Sequence, residues 1–267
     1  MVKKMNFLMV FLLIHVSCLA TNQNIGLQEV VNPYTEYESH SEDAIAHILS
    51  LNIGEFEMSI ERAKNGRETV SSIAARTGAD IAINAGFFHE DGSPAGVLKV
   101  NNELIGCGLK KNRGALLWEK DKILTDRIMC EDDNLKSGYG TNPSKFGNII
   151  GGVPLILFQG KSVVDNSIEK AYDSFIDNRY ARTAIGVSED KLVILVVEGS
   201  SALEKKSGIL KGYSIKELEN TFISKQCKYA VNLDGGGSTT LVVNGKVINK
   251  IERERPVSEA IIFKRKN

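Results

Sequence analysis

The chain has 267 residues, of which 42% are hydrophobic and 25% are charged, as in an ordinary globular protein. Its 33 basic and 33 acidic residues cancel, so the net charge does not point to a nucleic acid or an anionic membrane surface as a partner. The length fits one large domain or two small ones.

The N-terminus has the pattern of a secretory signal peptide over residues 1–20. Lys3 and Lys4 precede a short apolar run, and small residues follow it up to Ala20. We predict cleavage after Ala20 and a secreted or cell-envelope protein. A lipoprotein with Cys18 lipidated is the alternative, and only in that case do we expect membrane attachment.

The polar residues 21–40 are predicted to be an N-terminal arm or linker, and residues 41–267 a single domain. That domain contains Cys107, Cys130 and Cys227. In an oxidising compartment one pair can form a disulfide and one thiol remains, and the sequence does not choose the pair.

Strand-like segments, hairpins and two helices follow one another along the domain. The first helix is predicted at Thr69–Arg76, ended by Gly78. Residues 131–148 are rich in Gly, Asn, Ser and Asp, and we interpret them as a long loop that could act as a lid. The apolar run Leu192–Val197 predicts a central strand covered on both faces. Ser214, followed by Glu three residues later, predicts a capping box for a helix over 215–225.

Two segments of the chain resemble each other. Each has a helix, a short buried strand, a polar residue at the strand end, a glycine-containing turn and a hairpin. Asn84 in the first copy corresponds to Asp234 in the second. The predicted fold class is therefore α+β (mixed α/β), with twisted mixed β-sheets and a few helices built from two pseudo-repeated helix-strand-hairpin units. If the units pack about a pseudo-twofold axis, Asn84 and Asp234 meet at the centre.

The stretch Val231–Val243 is the most informative part of the second copy. An apolar strand ends in Asp234, and the glycines Gly235, Gly236 and Gly237 lead into Ser238. Successive backbone N–H groups in such a loop are predicted to form a nest for an anion.

A second carboxylate, Glu198, also stands at the end of an apolar run and before a glycine. Paired carboxylates can divide into acid and base or into base and nucleophile. Arg182 and Arg255 are the candidate cations, because a guanidinium matches a phosphate bidentately.

Several short motifs, in their order along the chain, resemble those of the phosphodiester glycosidase family. They are INAGFF at 83–88, RTAIGV at 182–187, LVVEG at 195–199, NLDGGGSTT at 232–240 and ERP at 254–256. The resemblance implies hydrolysis of a sugar 1-phosphodiester, such as that of N-acetylglucosamine, at the glycosidic C–O bond.

The resemblance also implies roles for individual residues. Glu198 and Asp234 would be catalytic, with their roles unassigned. The substrate would be a small-molecule or glycan phosphodiester, bound by Asn84, Arg182, Thr183, Gly235, Gly236, Gly237, Ser238, Thr239 and Arg255. We expect no required cofactor, and leave open a structural Ca²⁺, the metal ligands and the oligomeric state. The alternatives are a non-catalytic envelope protein that binds glycan or anionic polymer, and a metal-assisted phosphodiesterase.

Overall fold

The computed structural model describes residues 35–41, 44–108, 112–200, 202–209 and 211–266. The predicted signal peptide with Cys18, and residues 21–34 of the predicted arm, lie outside the described residues. The last part of the arm forms the first strand, which pairs with the strand that follows it. No helix among the described residues is long and apolar enough to cross a membrane.

In chain order the strands are β1 (Thr35–Ser41), β2 (Ile45–Asn52), β3 (Phe56–Arg62), β4 (Ile81–Asn84), β5 (Leu98–Val100), β6 (Glu103–Gly106), β7 (Arg113–Glu119), β8 (Lys122–Glu131), β9 (Asn134–Ser137), β10 (Asn148–Gly151), β11 (Leu155–Phe158), β12 (Lys161–Ser162), β13 (Arg182–Val187), β14 (Lys191–Val197), β15 (Tyr229–Asn232), β16 (Leu241–Val243), β17 (Lys246–Val247) and β18 (Glu259–Arg265). The helices are α1 (Val70–Thr77), α2 (Asn166–Glu169), α3 (Asp173–Asp177), α4 (Ala202–Lys206) and α5 (Ile215–Ser224), and short 3-10 helices lie at Pro143–Lys145 and Gly236–Ser238.

The strands form three sheets. Sheet 1 has the order β1-β2-β14-β13-β15-β11-β12, sheet 2 the order β6-β5-β10-β7-β8-β9, and sheet 3 the order β17-β16-β4-β18-β3. The α+β class with few helices is confirmed. The ladders are antiparallel rather than mixed, because hairpins such as β7–β8 and β16–β17 place sequence neighbours side by side.

All three sheets face a common apolar core. Ile194 of sheet 1, Trp118 of sheet 2 and Phe263 of sheet 3 belong to the same buried cluster. The outer face of sheet 1 packs on α5 through Phe222, and a separate cluster joins α1 to sheet 3 through Ile73. Burial of these side chains from water is the main favourable term in folding.

The predicted helices and the central strand are confirmed. In α1 the Thr69 side chain accepts a hydrogen bond from the Ser72 N–H, and Gly78 ends the helix with φ of 65°. Both bonds of the capping box between Ser214 and Glu217 are present at α5. Residues 192–197 of β14 are buried, with alternate side chains facing the common core and the helices.

The stretch predicted as a loop at 131–148 contains the end of β8, all of β9, a short 3-10 helix and the first residue of β10. β8 extends to Glu131, and Asp132 and Asp133 turn the chain with φ of 49° and 62° into β9. Positive φ at two successive residues suits a two-residue hairpin turn. The Ser137 hydroxyl then donates to Asp126 at 2.5 Å, which holds β9 against β8.

The two repeated units have the predicted elements: α1, β4 and the β5–β6 hairpin, then α5, β15 and the β16–β17 hairpin. They are not packed independently. β16 of the second unit pairs with β4 of the first, with Leu241 opposite Ile83. The first unit's hairpin instead joins β10 in sheet 2. The second unit therefore completes the sheet in which the first unit's strand lies.

A disulfide joins Cys107, just after β6, to Cys130 in β8, with a sequence separation of 23 residues. Cys227 is a buried free thiol, and burial raises its pKa to about 12. The sequence did not show which two cysteines form the disulfide, and the structure shows that they are Cys107 and Cys130.

The Cys107→Ser/Cys130→Ser variant is expected to lose about 3 kcal/mol of unfolding free energy, because the bridge limits the entropy of the unfolded chain. Urea unfolding with and without dithiothreitol measures this. The reductant should shift the wild-type midpoint to that of the variant and leave the variant unchanged. Equal wild-type midpoints in both conditions would contradict the expectation.

Candidate active site

Asn84 and Asp234, the matching residues of the two repeats, meet at the centre as predicted. The Asn84 Nδ2 donates to the Asp234 carbonyl at 2.7 Å. The Asp234 N–H donates to the Ala85 carbonyl at 3.1 Å. Two hydrogen bonds therefore join the ends of β4 and β15, one from a side chain to the backbone and one between backbone groups.

The Asn84 side chain is fully engaged within the protein. Its Oδ1 accepts the Thr183 hydroxyl at 2.6 Å and the Thr240 N–H at 3.1 Å. Asn84 and Thr183 are both completely buried. Together they form a clamp that fixes the backbone of Asp234, and their predicted contact with substrate stays a prediction.

Asp234 is partly exposed, and its Oδ1 accepts the N–H of Gly235 at 2.9 Å. Burial raises the pKa of the Asp234 carboxyl. The nearby Ser238 hydroxyl, the Gly235 N–H and the charge of Arg255 lower that pKa in part. The Ser238 Oγ lies close to this carboxyl but completes no hydrogen bond of ordinary geometry there, and it is fully buried.

Glu259, at the start of β18, is the acidic neighbour that the sequence analysis missed. It is 2% exposed and accepts a hydrogen bond from the Ser258 hydroxyl, and the Gly86 N–H lies near enough to lower the pKa of its carboxyl in part. Burial raises the pKa of its carboxyl to about 7, and repulsion from the Asp234 charge adds to the rise, whereas the charge of Arg62 opposes it. The available signal was a glutamate heading an otherwise apolar buried strand.

The Ala85–Gly86 segment lies between Asp234 and Glu259. The Ala85 carbonyl accepts the backbone N–H of Asp234, and the Gly86 N–H lowers the pKa of the Glu259 carboxyl in part. A Cβ at Gly86 would lie 3.2 Å from Glu259 Oε1 and 3.2 Å from the Gly151 carbonyl oxygen. A side chain at residue 86 would therefore force Glu259 away from the loop.

The glycine loop is not an open nest. Beyond the Gly235 N–H already described, the Gly236 N–H donates to Ala181 O at 2.9 Å. The N–H groups of Ser238 and Thr239 close the 3-10 helix at 3.1 and 3.3 Å. Within the described residues this leaves the N–H of Gly237, which is exposed, without a partner. The loop was predicted to offer several free N–H groups to an anion, and in the structure the described residues leave one, that of Gly237.

Gly235 serves close packing. A Cβ at this position would lie 2.6 Å from the Ala181 carbonyl oxygen, closer than real contacts allow. The following residue, Gly236, has φ of 59°. Gly235 and Gly236 therefore let the turn lie flat against the start of β13, and their predicted contact with substrate stays a prediction.

Arg182 faces away from the clamp. Successive side chains of a strand alternate between faces, so Arg182 and Thr183 point to opposite sides of sheet 1. The Arg182 guanidinium donates to the carbonyls of Tyr213 at 2.9 Å, Phe175 at 2.6 Å and Asn178 at 3.1 Å. It is 1% exposed, and burial lowers its pKa to about 10. Arg182 is thus held under α3 by backbone carbonyls, and its predicted contact with phosphate stays a prediction.

Arg255 is the cation whose charge lowers the pKa of the Asp234 carboxyl. It is exposed, its guanidinium lies 5.3 Å from the centre of the Phe88 ring, and its Cδ lies beside Gly237. The preceding residue, Glu254, accepts the N–H of Ser71 at 2.8 Å and its hydroxyl at 2.5 Å. The loop carrying Arg255 is therefore anchored to the first turn of α1.

Glu198 lies on the rim, at the end of β14. Its Oε1 contacts His47 Nε2 at 2.9 Å and accepts the Lys250 N–H at 2.7 Å. In sheet 1, β13 stands between β14 and β15, so about 10 Å separates the backbones of Glu198 and Asp234. The charge of Asp234 raises the pKa of Glu259, and the predicted catalytic role of Glu198 stays a prediction.

Thr239 is 1% exposed, and its carbonyl accepts the Asn249 amide at 3.0 Å. Thr239 therefore lies beneath the surface, and its predicted contact with substrate stays a prediction. Across the described ranges, no three or more His, Cys, Asp or Glu side chains are grouped so that they could hold a metal ion.

The chain belongs to the phosphodiester glycosidase family, because the sequence profile of this family matches residues 77–264. The bovine N-acetylglucosamine-1-phosphodiester alpha-N-acetylglucosaminidase is 27% identical over 194 residues, which are 68% of this chain and 34% of the bovine protein. The SPbeta prophage-derived uncharacterized protein YomE of Bacillus subtilis (strain 168) is 27% identical over 210 residues, covering 74% of this chain and 30% of YomE. The chain thus spans about one third of the length of these relatives.

The fold is shared with solved structures. The catalytic domain of the zebrafish N-acetylglucosamine-1-phosphodiester alpha-N-acetylglucosaminidase, auto-inhibited by its pro-peptide, superposes with a TM-score of 0.68 at 21% identity. The match covers 88% of this chain and 85% of the zebrafish chain. A hypothetical protein from Synechocystis has a TM-score of 0.66 at 17% identity, covering 86% of this chain and 61% of its own.

The Glu259→Gln variant is expected to unfold less readily than wild type above pH 7. The Glu259 carboxyl has an ordinary pKa of 4.5 in the unfolded chain and about 7 in the folded protein. Between these values the folded state binds more protons, so wild-type stability falls as pH rises. Below pH 4.5 the wild type loses none of its unfolding free energy from this group, and above pH 7 the loss is complete at about 3 kcal/mol. The amide of the Gln variant has the same shape but cannot ionise, so the variant does not show this loss.

Urea unfolding at pH 4.5, 6 and 8 measures this difference. Glu189→Gln is the matched control, because the Glu189 side chain is 86% exposed and far less desolvated. A stability difference between wild type and Glu259→Gln that is the same at all three pH values would show that Glu259 titrates normally.

Proposed function

We propose that this protein hydrolyses a sugar 1-phosphodiester at the glycosidic C–O bond and releases a free sugar and a phosphomonoester. The observation that carries the proposal is the pair formed by the partly exposed Asp234 and the buried Glu259, with Arg255 beside it. Family membership supports the class of reaction.

The chemistry fits these groups. A glycosidic bond breaks through an oxocarbenium-like transition state that a carboxylate stabilises or attacks. Asp234 is the accessible carboxylate, so we assign this role to it. The departing phosphate is a weak base that needs charge stabilisation more than protonation. The guanidinium of Arg255 and the free N–H of Gly237 supply that stabilisation.

Glu259 acts through Asp234 rather than on the sugar, because it is almost completely buried. Its neutral form leaves Asp234 as the single negative charge in the pair. When Glu259 ionises near pH 7, its repulsion makes a further negative charge in the site more costly, and we expect phosphodiester binding to weaken. Glu259 is therefore proposed as a positioning residue that sets the upper pH limit. Glu198, held by His47 on the rim, is proposed as a support for the site.

The proposed sugar is N-acetylglucosamine, since the bovine and zebrafish relatives are named for its 1-phosphodiester. We further propose a secreted or cell-envelope location with a signal peptide at residues 1–20. The disulfide between Cys107 and Cys130 supports an oxidising compartment.

Three isosteric variants separate the carboxylates kinetically. Asp234→Asn is expected to lower kcat by at least about a hundredfold, the usual scale for acid–base groups. Glu259→Gln should keep more of kcat and lose the fall in kcat/KM near pH 7. Glu198→Gln should change both parameters less than Asp234→Asn. Release of N-acetylglucosamine from a defined 1-phosphodiester, followed from pH 5 to 9, measures these effects.

The outcome against this assignment is a Glu198→Gln variant that is as inactive as Asp234→Asn while Glu259→Gln keeps the wild-type pH profile. Turnover in ¹⁸O-labelled water tests the bond that breaks. Label in the sugar supports C–O cleavage, and label in the phosphate supports attack at phosphorus. A folded wild-type protein that binds these phosphodiesters without turnover would instead support a non-catalytic glycan-binding protein.

Arg255→Met is expected to raise KM for the phosphodiester by about tenfold or more, the scale of one lost charge-assisted hydrogen bond. Arg253→Met is the matched control, because Arg253 is also exposed and lies two residues away in the same loop. Equal KM values for the two variants would remove Arg255 from the substrate site.

A further inference from the structure

The structure has a second feature suited to a ligand, far from Asp234. An open groove of about 380 Å³ lies between the edge of sheet 2 and the far end of β11 and β15. Tyr229, which lines it, begins β15, and Asp234 follows that strand five residues later. An extended strand of that length spans about 16 Å, so the groove is at the opposite end of the sheet.

Aromatic rings form the floor of the groove. Tyr139 stacks on Phe158 with the ring centres 4.2 Å apart, and Phe158 meets Tyr229 edge to face at 5.7 Å. Tyr139 is 37% exposed although it is a large ring. Part of Tyr139 is therefore open to solvent, although Phe158 covers one face of its ring and the Arg127 guanidinium lies 5.5 Å from the ring centre.

Tyr139 is held in place by polar contacts. Its hydroxyl accepts the Arg127 Nη1 at 2.5 Å, and its N–H donates to Asp126 Oδ1 at 3.1 Å. Arg127 is itself fixed by a buried ion pair with Glu169 at 3.1 Å. A ring fixed before binding loses little conformational entropy when a ligand stacks on it.

The rim of the groove is cationic and rich in amides. Lys122 and Lys145 line it, and the Lys122 Nζ lies 5.3 Å from the centre of the Phe146 ring. Asn142 and Gln159 also line it, and both are exposed. Among the lining residues, all within the described part of the chain, none is acidic.

We propose that this groove is a second, non-catalytic binding site for a phosphate-bearing glycan. Sugar rings stack on the aromatic floor, the amides bond sugar hydroxyls, and Lys122 and Lys145 meet the phosphate charge. The site holds the protein on a polymer while Asp234 acts at another point. The choice of glycan rather than nucleic acid rests on the proposed function, because an aromatic and basic groove also suits single-stranded DNA.

Binding is measured with the Asp234→Asn variant, so that hydrolysis does not consume the ligand. The probes are yeast phosphomannan, neutral chitohexaose, polyphosphate and oligothymidylate, each tested by isothermal titration calorimetry at 50 and 300 mM NaCl. Phosphomannan is expected to bind most tightly and to weaken at the higher salt concentration. Tighter binding of oligothymidylate, tighter binding of polyphosphate, or no binding of phosphomannan would each overturn the proposal.

Two surface variants, each added to Asp234→Asn, locate the site. Lys122→Ala/Lys145→Ala removes both cations, and Gln159→Glu adds a negative charge at an exposed residue without changing its size. Each is expected to weaken phosphomannan binding about tenfold. Lys64→Ala/Lys205→Ala is the matched control, since both of these lysines are exposed and neither lines the groove. An equal loss in the control, or unchanged binding in the first two, overturns the proposal.

The binding result is separate from the proposed hydrolysis. Turnover by the wild type with unchanged phosphomannan binding in the groove variants would leave the catalytic proposal standing and remove the second site. Phosphomannan binding that depends on the groove, without any turnover by the wild type, would support the second site and remove the catalytic proposal.

Discussion

The buried amide of Asn84 is the contact on which the rest of the site depends. One side chain donates to the Asp234 carbonyl and accepts from Thr183 and Thr240, over distances of 2.6 to 3.1 Å. Loss of any partner would leave a buried polar group unsatisfied, which costs about 1–3 kcal/mol. This clamp fixes Asp234 beside the Ala85–Gly86 segment, and the same segment positions Glu259.

Two buried charges in this protein are handled in opposite ways. Arg182 is surrounded by three carbonyl oxygens, two of them near the end of α3 where helix carbonyls are left unpaired, and by two aromatic rings. These acceptors favour its charged form, although burial lowers its pKa to about 10. Glu259 is buried and lies near the negative charge of Asp234, so its neutral form is favoured at moderate pH. The first arrangement stabilises a fold, and the second creates a group that titrates near neutrality.

Local sequence signals predicted the elements well. The capping box at Ser214, the glycine stop at Gly78 and the uniformly apolar β14 each depend on neighbouring residues alone, and the structure confirms them. The repeat likewise predicted the meeting of Asn84 and Asp234. The β8–β9 hairpin at 122–137 was missed because its polar turn residues, Asp132 and Asp133, resemble those of an irregular loop.

The site was predicted less well, because its chemistry depends on which face of a strand a residue occupies. Arg182 and Thr183 are adjacent in the motif yet lie on opposite sides of sheet 1. The glycine loop suggested free N–H groups, but packing against Ala181 and the 3-10 turn uses most of them. Among the motifs, only ERP at 254–256 is close to Glu259 in the sequence. The pairing of β18 with β4 is what brings Glu259 to Gly86.

The difference between the two repeats explains why only one of them carries a carboxylate at the strand end. Residue 84 must donate to the Asp234 carbonyl and accept two hydrogen bonds while completely buried. An amide does both without a charge, whereas an ionised aspartate has no donor and would be a third carboxylate near Asp234 and Glu259. The neutral residue in the first repeat is thus the condition for the carboxylate in the second. Asymmetry within the repeat keeps Asp234 accessible to a ligand.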